Sequence, residues 1–196
     1  MNAKKNNPSH FEKILIANRG EIACRIIKTC RKLAIKTVVI CSENDQSAPH
    51  VLLADEHVCV KANTPSGSYL DQEKIIQAAK NTHCEAIIPG YGFLSENTTF
   101  VSACETAGLI FVGPTSETMQ QFGLKHIART LAKKHNIPIT EGSPLLKTTD
   151  DAIAASEKIG FPVLLKCSGG GGGIGMQICH NAQDVKEKFK SIQKMG

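Results

Sequence analysis

A lysine followed by a run of glycines is the strongest chemical signal in this sequence. The apolar stretch Phe161–Leu165 leads into Lys166, and six of the seven residues from Gly169 to Gly175 are glycine. Because glycine lacks a Cβ, it tolerates positive φ angles and lets backbone N–H groups approach a ligand closely. The ammonium group of Lys166 adds a point charge suited to phosphate. The segment therefore predicts a cradle for nucleotide phosphates.

Three kinds of glycine loop, and a plain linker, compete to explain this segment. A Walker loop would end in Gly-Lys-Ser/Thr and enter a helix at once, and neither feature is present. Gly170, Gly172 and Gly175 satisfy the letters of a Rossmann fingerprint, as any glycine run does, but that loop also feeds a helix. Here the alternating stretch Met176–His180 predicts a second strand. Strand, glycine hairpin and strand favour a flexible flap over ATP phosphates, as in ATP-grasp enzymes and protein kinases, rather than a linker.

The elements that must position this loop alternate along the chain. Residues 13–113 switch between strand-like and helix-like segments, which is the signature of an α/β parallel sheet. The predicted strands cover residues 13–17, 36–41, 57–60, 85–88 and 109–112. Helical periodicity predicts two inward-facing stripes, Ile22, Ile26, Cys30 and Leu33 on one helix and Ile75, Ile76 and Ala79 on the next. Helices over 115–135 and 149–159 precede the glycine hairpin, and Asn181 is expected to cap a last helix.

Two loops follow strands of this sheet at their carboxyl ends, where open α/β sheets bind ligands. The first, Asn18–Glu21, has a single glycine, so it is not a dinucleotide site, and its acid could simply favour a helix start. The second, Pro89–Asn97, brackets Tyr91 with two glycines. Helix capping and a functional role are both open for Ser95 and Glu96. The glycines around Tyr91 are harder to explain by packing alone.

Composition limits the classes of function. A net charge of +5 suits an anionic ligand without identifying one. The absence of Trp, with only two Tyr and no basic stripe interleaved with aromatic residues, argues against nucleic-acid binding. No apolar run reaches the ~18 residues that span a bilayer, and the polar start shows no secretory signal. Eight cysteines without a Cys-x-x-Cys pair fit reduced, mostly buried thiols. We expect a cytoplasmic protein with no membrane or nucleic-acid partner.

Several multi-residue motifs occur in a familiar order and spacing from about residue 11 onward. They are Ile16–Ala23, His50–Glu56, Pro89–Asn97, Val112–Pro114, and Lys166 with Gly169–Met176. Together they resemble the biotin carboxylase family. Two departures resemble the urea carboxylase and urea amidolyase branch: Ile174 stands where many members carry Arg or Lys, and the run Phe122–His126 lacks an acidic residue before its lysine. The run Gly142–Leu146 is similar to that branch too.

The resemblance implies both a fold and an activity. The fold would be α/β, with a Rossmann-like parallel sheet, the pre-ATP-grasp N-terminal domain of biotin carboxylases, followed by a truncated ATP-grasp lid subdomain. The activity would be that of a ligase in which Mg-ATP activates bicarbonate as carboxyphosphate, and the carboxyl group passes to biotin on a carrier domain. In the urea branch the carboxyl group passes on to urea and gives allophanate.

The resemblance also implies site residues, by their position in the motifs. The ATP site would comprise Lys125, Lys166, Gly169, Gly170, Gly171, Gly172, Gly173, Gly175 and Met176. Tyr91 and Gly92 would lie near biotin and bicarbonate. Without the resemblance, Lys125 would be interpreted as a solvated helix lysine and Met176 as a core strand residue. The family's Mg2+ ligands, base and bicarbonate-binding arginines would lie beyond Gly196, so we expect no catalytic or metal-binding residue within this chain.

We expect a polar tail over residues 1–10, the N-terminal domain over 11–122 and a partial ATP-grasp domain over 123–196. On this interpretation the chain is the front of a larger carboxylase that binds ATP at most and does not complete turnover alone. A non-catalytic assembly module stays open, since the family's N-terminal domain forms homodimer contacts through the helix that carries Arg25 and Lys28. Another ATP-grasp ligase also stays open, although the Asn-Arg-Gly-Glu and Gly-Tyr-Gly-Phe-Leu-Ser-Glu-Asn runs count against it.

Overall fold

The computed structural model describes residues 10–62, 64–168 and 175–194. The chain divides into two units, Met1–Met119 and Gln120–Gly196. The domain boundary expected after residue 122 stays a prediction. Within the described ranges, no helix is both long enough and apolar enough to cross a membrane.

Short strands rich in β-branched residues form a parallel sheet in the first unit. They are β1 (Lys13–Ile16), β2 (Lys36–Ser42), β3 (Glu56–Val60), β4 (Ala86–Ile88) and β5 (Ile110–Phe111). The strand order is β3-β2-β1-β4-β5 and every neighbouring pair is parallel, which confirms the predicted α/β sheet. The chain winds outward in opposite directions from β1 and β4, so the gap between their carboxyl ends is a topological switch point.

Helices cover the sheet and bury its apolar faces. They are α1 (Gly20–Lys32), α2 (Pro49–Leu53), α3 (Gln72–Asn81), α4 (Thr98–Thr106) and α5 (Ser116–Gly123). One face of the sheet packs in a cluster with Ile75 and Phe100, and the other packs in a cluster with Ile26 and Cys30. The predicted inward stripes are confirmed except at Leu33, whose side chain is 54% exposed. Leu33 is the C-cap of α1, where the helical period that would bury it has already ended.

The polar residue that caps α4 is not one of the two that the sequence suggested. Asn97, not Ser95 or Glu96, caps α4, because its side-chain oxygen accepts a hydrogen bond from the Phe100 amide at 2.9 Å. The Ser95 amide instead donates to the Gly92 carbonyl and closes the preceding turn. The capping interpretation of Ser95 and Glu96 was therefore wrong by one or two residues. Helix boundaries of this kind depend on backbone geometry that periodicity does not encode.

The second unit packs helices against a hairpin. Its elements are α6 (Lys125–Lys134), α7 (Thr149–Ile159), β6 (Val163–Lys166), β7 (Met176–Cys179) and α8 (Ala182–Gln193). The antiparallel pairing of β6 with β7 confirms the predicted strand, hairpin and strand. Asn181 caps α8 as expected, since its side chain accepts from the Asp184 amide at 2.9 Å. A small core that includes Leu165, Val185 and Phe189 holds the hairpin to the helices.

Candidate functional site

A buried amide ties together the two loops at the switch point. Asn18, two residues after the end of β1 and 3% exposed, donates from Nδ2 to the carbonyl oxygens of Pro89 and Tyr91, both at 2.7 Å. Its Oδ1 accepts from the Arg19 amide at 2.8 Å. A buried polar group must be hydrogen-bonded to avoid a desolvation cost. Asn18 therefore fixes the loop after β4 relative to the loop after β1.

The close approach of these loops requires a glycine at position 90. Gly90 has a φ of +66°, a left-handed conformation that strains other residues. A Cβ at this position would lie 2.9 Å from Cγ1 of Ile22 and 3.1 Å from Nδ2 of Asn18. Gly92 also has a positive φ of +70°, but open space surrounds the position of its absent Cβ. Gly90 is thus fixed by packing and backbone conformation, and Gly92 by backbone conformation alone.

Tyr91 lies at the mouth of a shallow hollow between the two loops. The hollow, of about 380 Å³, is lined by residues 18–22 and 91–93. The Tyr91 side chain is 60% exposed, and its hydroxyl donates to the carboxylate of Glu21 in the first turn of α1. Glu21, which was interpreted from the sequence as a residue that favours a helix start, therefore also binds the Tyr91 hydroxyl.

A cluster of side chains around Arg19 adjoins this hollow, and sequence reasoning did not identify it. The Arg19 guanidinium lies 5.6 Å from the ring centre of Tyr69 and 5.8 Å from that of Phe93. The two rings stack with their centres 5.2 Å apart. One Asp45 oxygen lies 3.8 Å from the guanidinium and accepts from the hydroxyls of Tyr69 at 2.7 Å and Ser42 at 2.9 Å. These residues come from different segments of the chain, so only information about which residues lie close together in the fold could have linked them.

The charges of this cluster are set by its hydrogen bonds. Burial disfavours ionisation of Asp45, but the hydrogen bonds from Tyr69 and Ser42 and the charge of Arg19 outweigh it, so the Asp45 pKa lies below its ordinary value. Burial, followed by the hydrogen bond to Asp45, raises the pKa of the Tyr69 phenol. At neutral pH the cluster therefore holds an ionised carboxylate, a neutral phenol and a guanidinium whose side chain is about half exposed.

The second unit presents a separate group of candidate residues on the β6–β7 hairpin. Lys166 pairs in register with Met176, and Leu164 pairs with Ile178. Directly paired residues share a face of a sheet, and all four of these are exposed, whereas Leu165 and Cys179 are buried on the other face. The interpretation of Met176 as a core strand residue was wrong, because its side chain is 41% exposed. The hairpin thus offers an apolar surface that ends in an ammonium group.

Lys125 reaches the start of the glycine-rich segment. Its Nζ donates to the carbonyl oxygen of Ser168 at 3.5 Å, which places the first residue of α6 beside the end of β6. On the far side, Gly175 has a φ of +72°, and its carbonyl accepts from the Cys167 amide at 3.0 Å. The predicted flap residues Gly169, Gly170, Gly171, Gly172 and Gly173 lie outside the described residues, as does Ile174.

The structure groups the predicted site residues within each unit. Lys125, Lys166, Gly175 and Met176 belong to the second unit, and Tyr91 and Gly92 belong to the first. The ligand contacts expected of all six stay predictions. In the part of the chain that the structure describes, no group of three or more His, Cys, Asp or Glu side chains could hold a metal ion.

We predict that Gly90→Ala destabilises the first unit more than Gly108→Ala does. Both glycines have positive φ, but only Gly90 has neighbours within contact distance of an added Cβ. Conformational strain costs about 1–2 kcal/mol at either position, and crowding adds about 1–3 kcal/mol at Gly90. Urea denaturation of both variants measures the difference, and equal losses would show that the loops can separate without cost.

We predict that Asp45→Asn makes the free energy of unfolding fall less as the pH is lowered. The folded-state pKa of Asp45 is below the ordinary 3.8 of an unfolded chain, so its stabilisation is present above that value and is lost as pH falls through the folded pKa. The variant should be less stable at neutral pH and lose less stability on acidification, in urea titrations between about pH 7 and pH 3.

Glu43→Gln, which changes an exposed carboxylate in the same turn, is the control and should keep the wild-type pH dependence. Asp55 and Asp71 also have lowered pKa values, so part of the dependence of the free energy of unfolding on pH remains in the Asp45→Asn variant. If the stability of Asp45→Asn depends on pH as strongly as that of the wild type, the Asp45 carboxylate does not stabilise this cluster.

Two family models match the chain. Residues 10–119 match the N-terminal domain of biotin carboxylase, and residues 125–196 match the ATP binding domain of the carbamoyl-phosphate synthase L chain. A putative urea carboxylase from Emericella nidulans is 48% identical over 93% of this chain, which covers 15% of that protein. Urea amidolyase from Lachancea kluyveri is 45% identical over 99% of this chain, which covers 10% of that protein.

A solved structure has the same fold. The biotin carboxylase domain dimer of the Hydrogenobacter thermophilus 2-oxoglutarate carboxylase, in complex with MgADP, ADP and bicarbonate, matches with a TM-score of 0.91 and 40% identity. The match covers 95% of this chain and 41% of that chain. The chain thus spans less than half the length of each of these three proteins. Since the biotin carboxylase N-terminal model matches more than half of its residues, the chain belongs to the biotin carboxylase family.

Proposed function

We propose that this chain is the nucleotide-binding front part of an ATP-dependent biotin carboxylase of the urea carboxylase type. One observation carries the proposal. The β6–β7 hairpin pairs Lys166 with Met176 on its exposed face, and the Lys125 ammonium reaches Ser168, the residue before the glycine run. Two cationic side chains therefore flank a segment whose composition suits phosphate binding.

The hairpin supports a division of roles along a bound nucleotide. The exposed apolar side chains of Leu164, Met176 and Ile178 offer a surface against which a flat base can pack. Lys166 and Lys125 would neutralise phosphate charge, with the amides of Gly169–Gly173 and Gly175 as further donors. Phosphoryl transfer requires mainly such positioning and charge neutralisation from a protein.

The loops of the first unit would lie near bicarbonate and biotin in the proposed reaction. Tyr91 and Gly92 line the hollow at the switch point, which is where open α/β sheets bind ligands. The Arg19 guanidinium lines the same hollow, together with the Glu21 carboxylate, and would be the group that contacts an anion such as bicarbonate. The hydrogen bond to Glu21 would hold the Tyr91 ring at the mouth of the hollow.

Magnesium, biotin on a carrier domain and a second copy of the chain complete the proposed reaction system. The described residues contain no cluster that fits a metal ion, so no step through magnesium follows from them. The related 2-oxoglutarate carboxylase domain is a dimer in complex with MgADP and bicarbonate, which supports these partners. Urea as the final acceptor is supported by the two urea-type relatives and by Ile174, Phe122–His126 and Gly142–Leu146.

We predict that the chain binds Mg-ATP and that Lys166→Ala lowers the affinity by about tenfold or more, because a charge-assisted hydrogen bond to phosphate is lost. Lys125→Ala should act in the same direction. Isothermal titration calorimetry of the whole chain measures both effects.

Lys158→Ala is the matched control, since it removes an exposed lysine from the last turn of α7 in the same unit. Its ATP affinity should equal that of the unchanged chain. ATP binding that survives Lys166→Ala unaltered would contradict the assignment of the hairpin. A chain that binds no ATP at all would contradict the nucleotide site itself.

A further inference from the structure

Two cysteines lie opposite each other on neighbouring strands of the first unit. Cys41 in β2 and Cys59 in β3 are register partners in the parallel ladder. Neighbouring strands lie about 4.8 Å apart, which falls inside the Cα separation of about 4.4–6.8 Å that a disulfide spans. Register partners point to the same face of a sheet, so the two sulfur atoms are placed for direct contact.

The two thiols differ in their access to solvent. Cys41 is fully buried, whereas Cys59 is exposed on the outermost strand of the sheet. All eight cysteines lie in described positions; six are buried and Cys24 is partly exposed, which leaves Cys59 as the most accessible thiol. A dissolved oxidant can therefore reach Cys59 directly, whereas Cys41 is shielded from it.

The two thiols also differ in their contacts. The side-chain amide of Gln46 donates from Nε2 to the Cys59 sulfur at 3.3 Å. Burial, followed by the charge of Cys59 and a hydrogen bond with it, raises the pKa of the Cys41 thiol to about 11. Cys41 thus keeps its proton at neutral pH while it remains in contact with its partner.

We propose that Cys41 and Cys59 form an oxidisable dithiol, a modification site that reacts with a peroxide to give a disulfide between β2 and β3. The Cys59 sulfur attacks a peroxide oxygen, an S–O bond forms, the O–O bond breaks, and hydrogen peroxide is reduced to water as Cys59 becomes a sulfenic acid. The Cys41 sulfur then attacks the Cys59 sulfur, the S–S bond forms, and the sulfenic oxygen leaves as a second water with the Cys41 proton.

The disulfide would close the chain segment between residues 41 and 59. That segment contains Asp45, which contacts Arg19 in the hollow, and Gln46, which contacts Cys59. The inference rests on the pairing of β2 with β3 and does not depend on the proposed nucleotide site.

Peptide mapping of the whole chain tests the proposal. The reduced protein is exposed to hydrogen peroxide, its remaining thiols are alkylated after denaturation, and the digest is analysed by mass spectrometry. We expect one cross-linked peptide pair, Cys41 with Cys59 within a single chain, lighter by two hydrogen atoms than the reduced pair. The other six cysteines should be alkylated. Oxidation of Cys59 without a link to Cys41, a link to any other cysteine, or no oxidation of Cys59 would overturn the proposal.

Three variants separate the two steps. Cys59→Ser, at an exposed position, should leave Cys41 reduced after the same treatment. Cys41→Ser should leave a sulfenic acid on Cys59 that dimedone labels several-fold more strongly than in the unchanged chain. Cys24→Ser is the control and should give the same cross-link as the unchanged chain. Should Cys41→Ser fail to fold, the cross-link map and Cys59→Ser still decide the outcome.

Discussion

Asn18 is a buried amide that must satisfy its hydrogen bonds within the protein, and the first unit is arranged around that requirement. Its bonds to Pro89, Tyr91 and the Arg19 amide tie the loops after β1 and β4 together at the switch point. A buried amide left unpaired would cost about 1–3 kcal/mol, so the loops cannot separate freely. Gly90 permits the approach because it carries no Cβ. The same loops carry Arg19 and Tyr91, so the constraint on the backbone also positions the polar groups of the hollow.

In the second unit, the two faces of the β6–β7 hairpin have different roles. One face of β6 and β7 is buried against α7 and α8 through residues such as Leu165 and Cys179, which gives the strands a stable base. The other face keeps Leu164, Met176 and Ile178 exposed and ends at Lys166. Exposed apolar side chains beside a cation are costly for a surface that has no ligand and useful for one that binds a nucleotide. On the proposed function, the two units would divide the reaction, with the nucleotide on the hairpin and small anions at the switch point.

Much of the fold follows from the sequence because strands and helices are local patterns. Five parallel strands, the helices between them and the hairpin around the glycines were all predictable from periodicity and composition. The Arg19–Asp45 contact was not, since it joins loops that periodicity treats as separate turns. The same limit hid the pairing of Cys41 with Cys59, which depends on strand register. Leu33 was misplaced because a helical period continues in the sequence past the residue where the helix ends.

The most direct test of the central claim, that this chain binds ATP on the β6–β7 hairpin, is hydrogen exchange measured with and without Mg-ATP. We expect that ATP slows amide exchange in Val163–Lys166 and Met176–Cys179, and leaves exchange in the sheet of the first unit unchanged. Local protection of this kind reports which segment a ligand stabilises. Exchange in the hairpin that is unaltered by ATP, or protection confined to the first unit, would show that ATP does not bind on this hairpin.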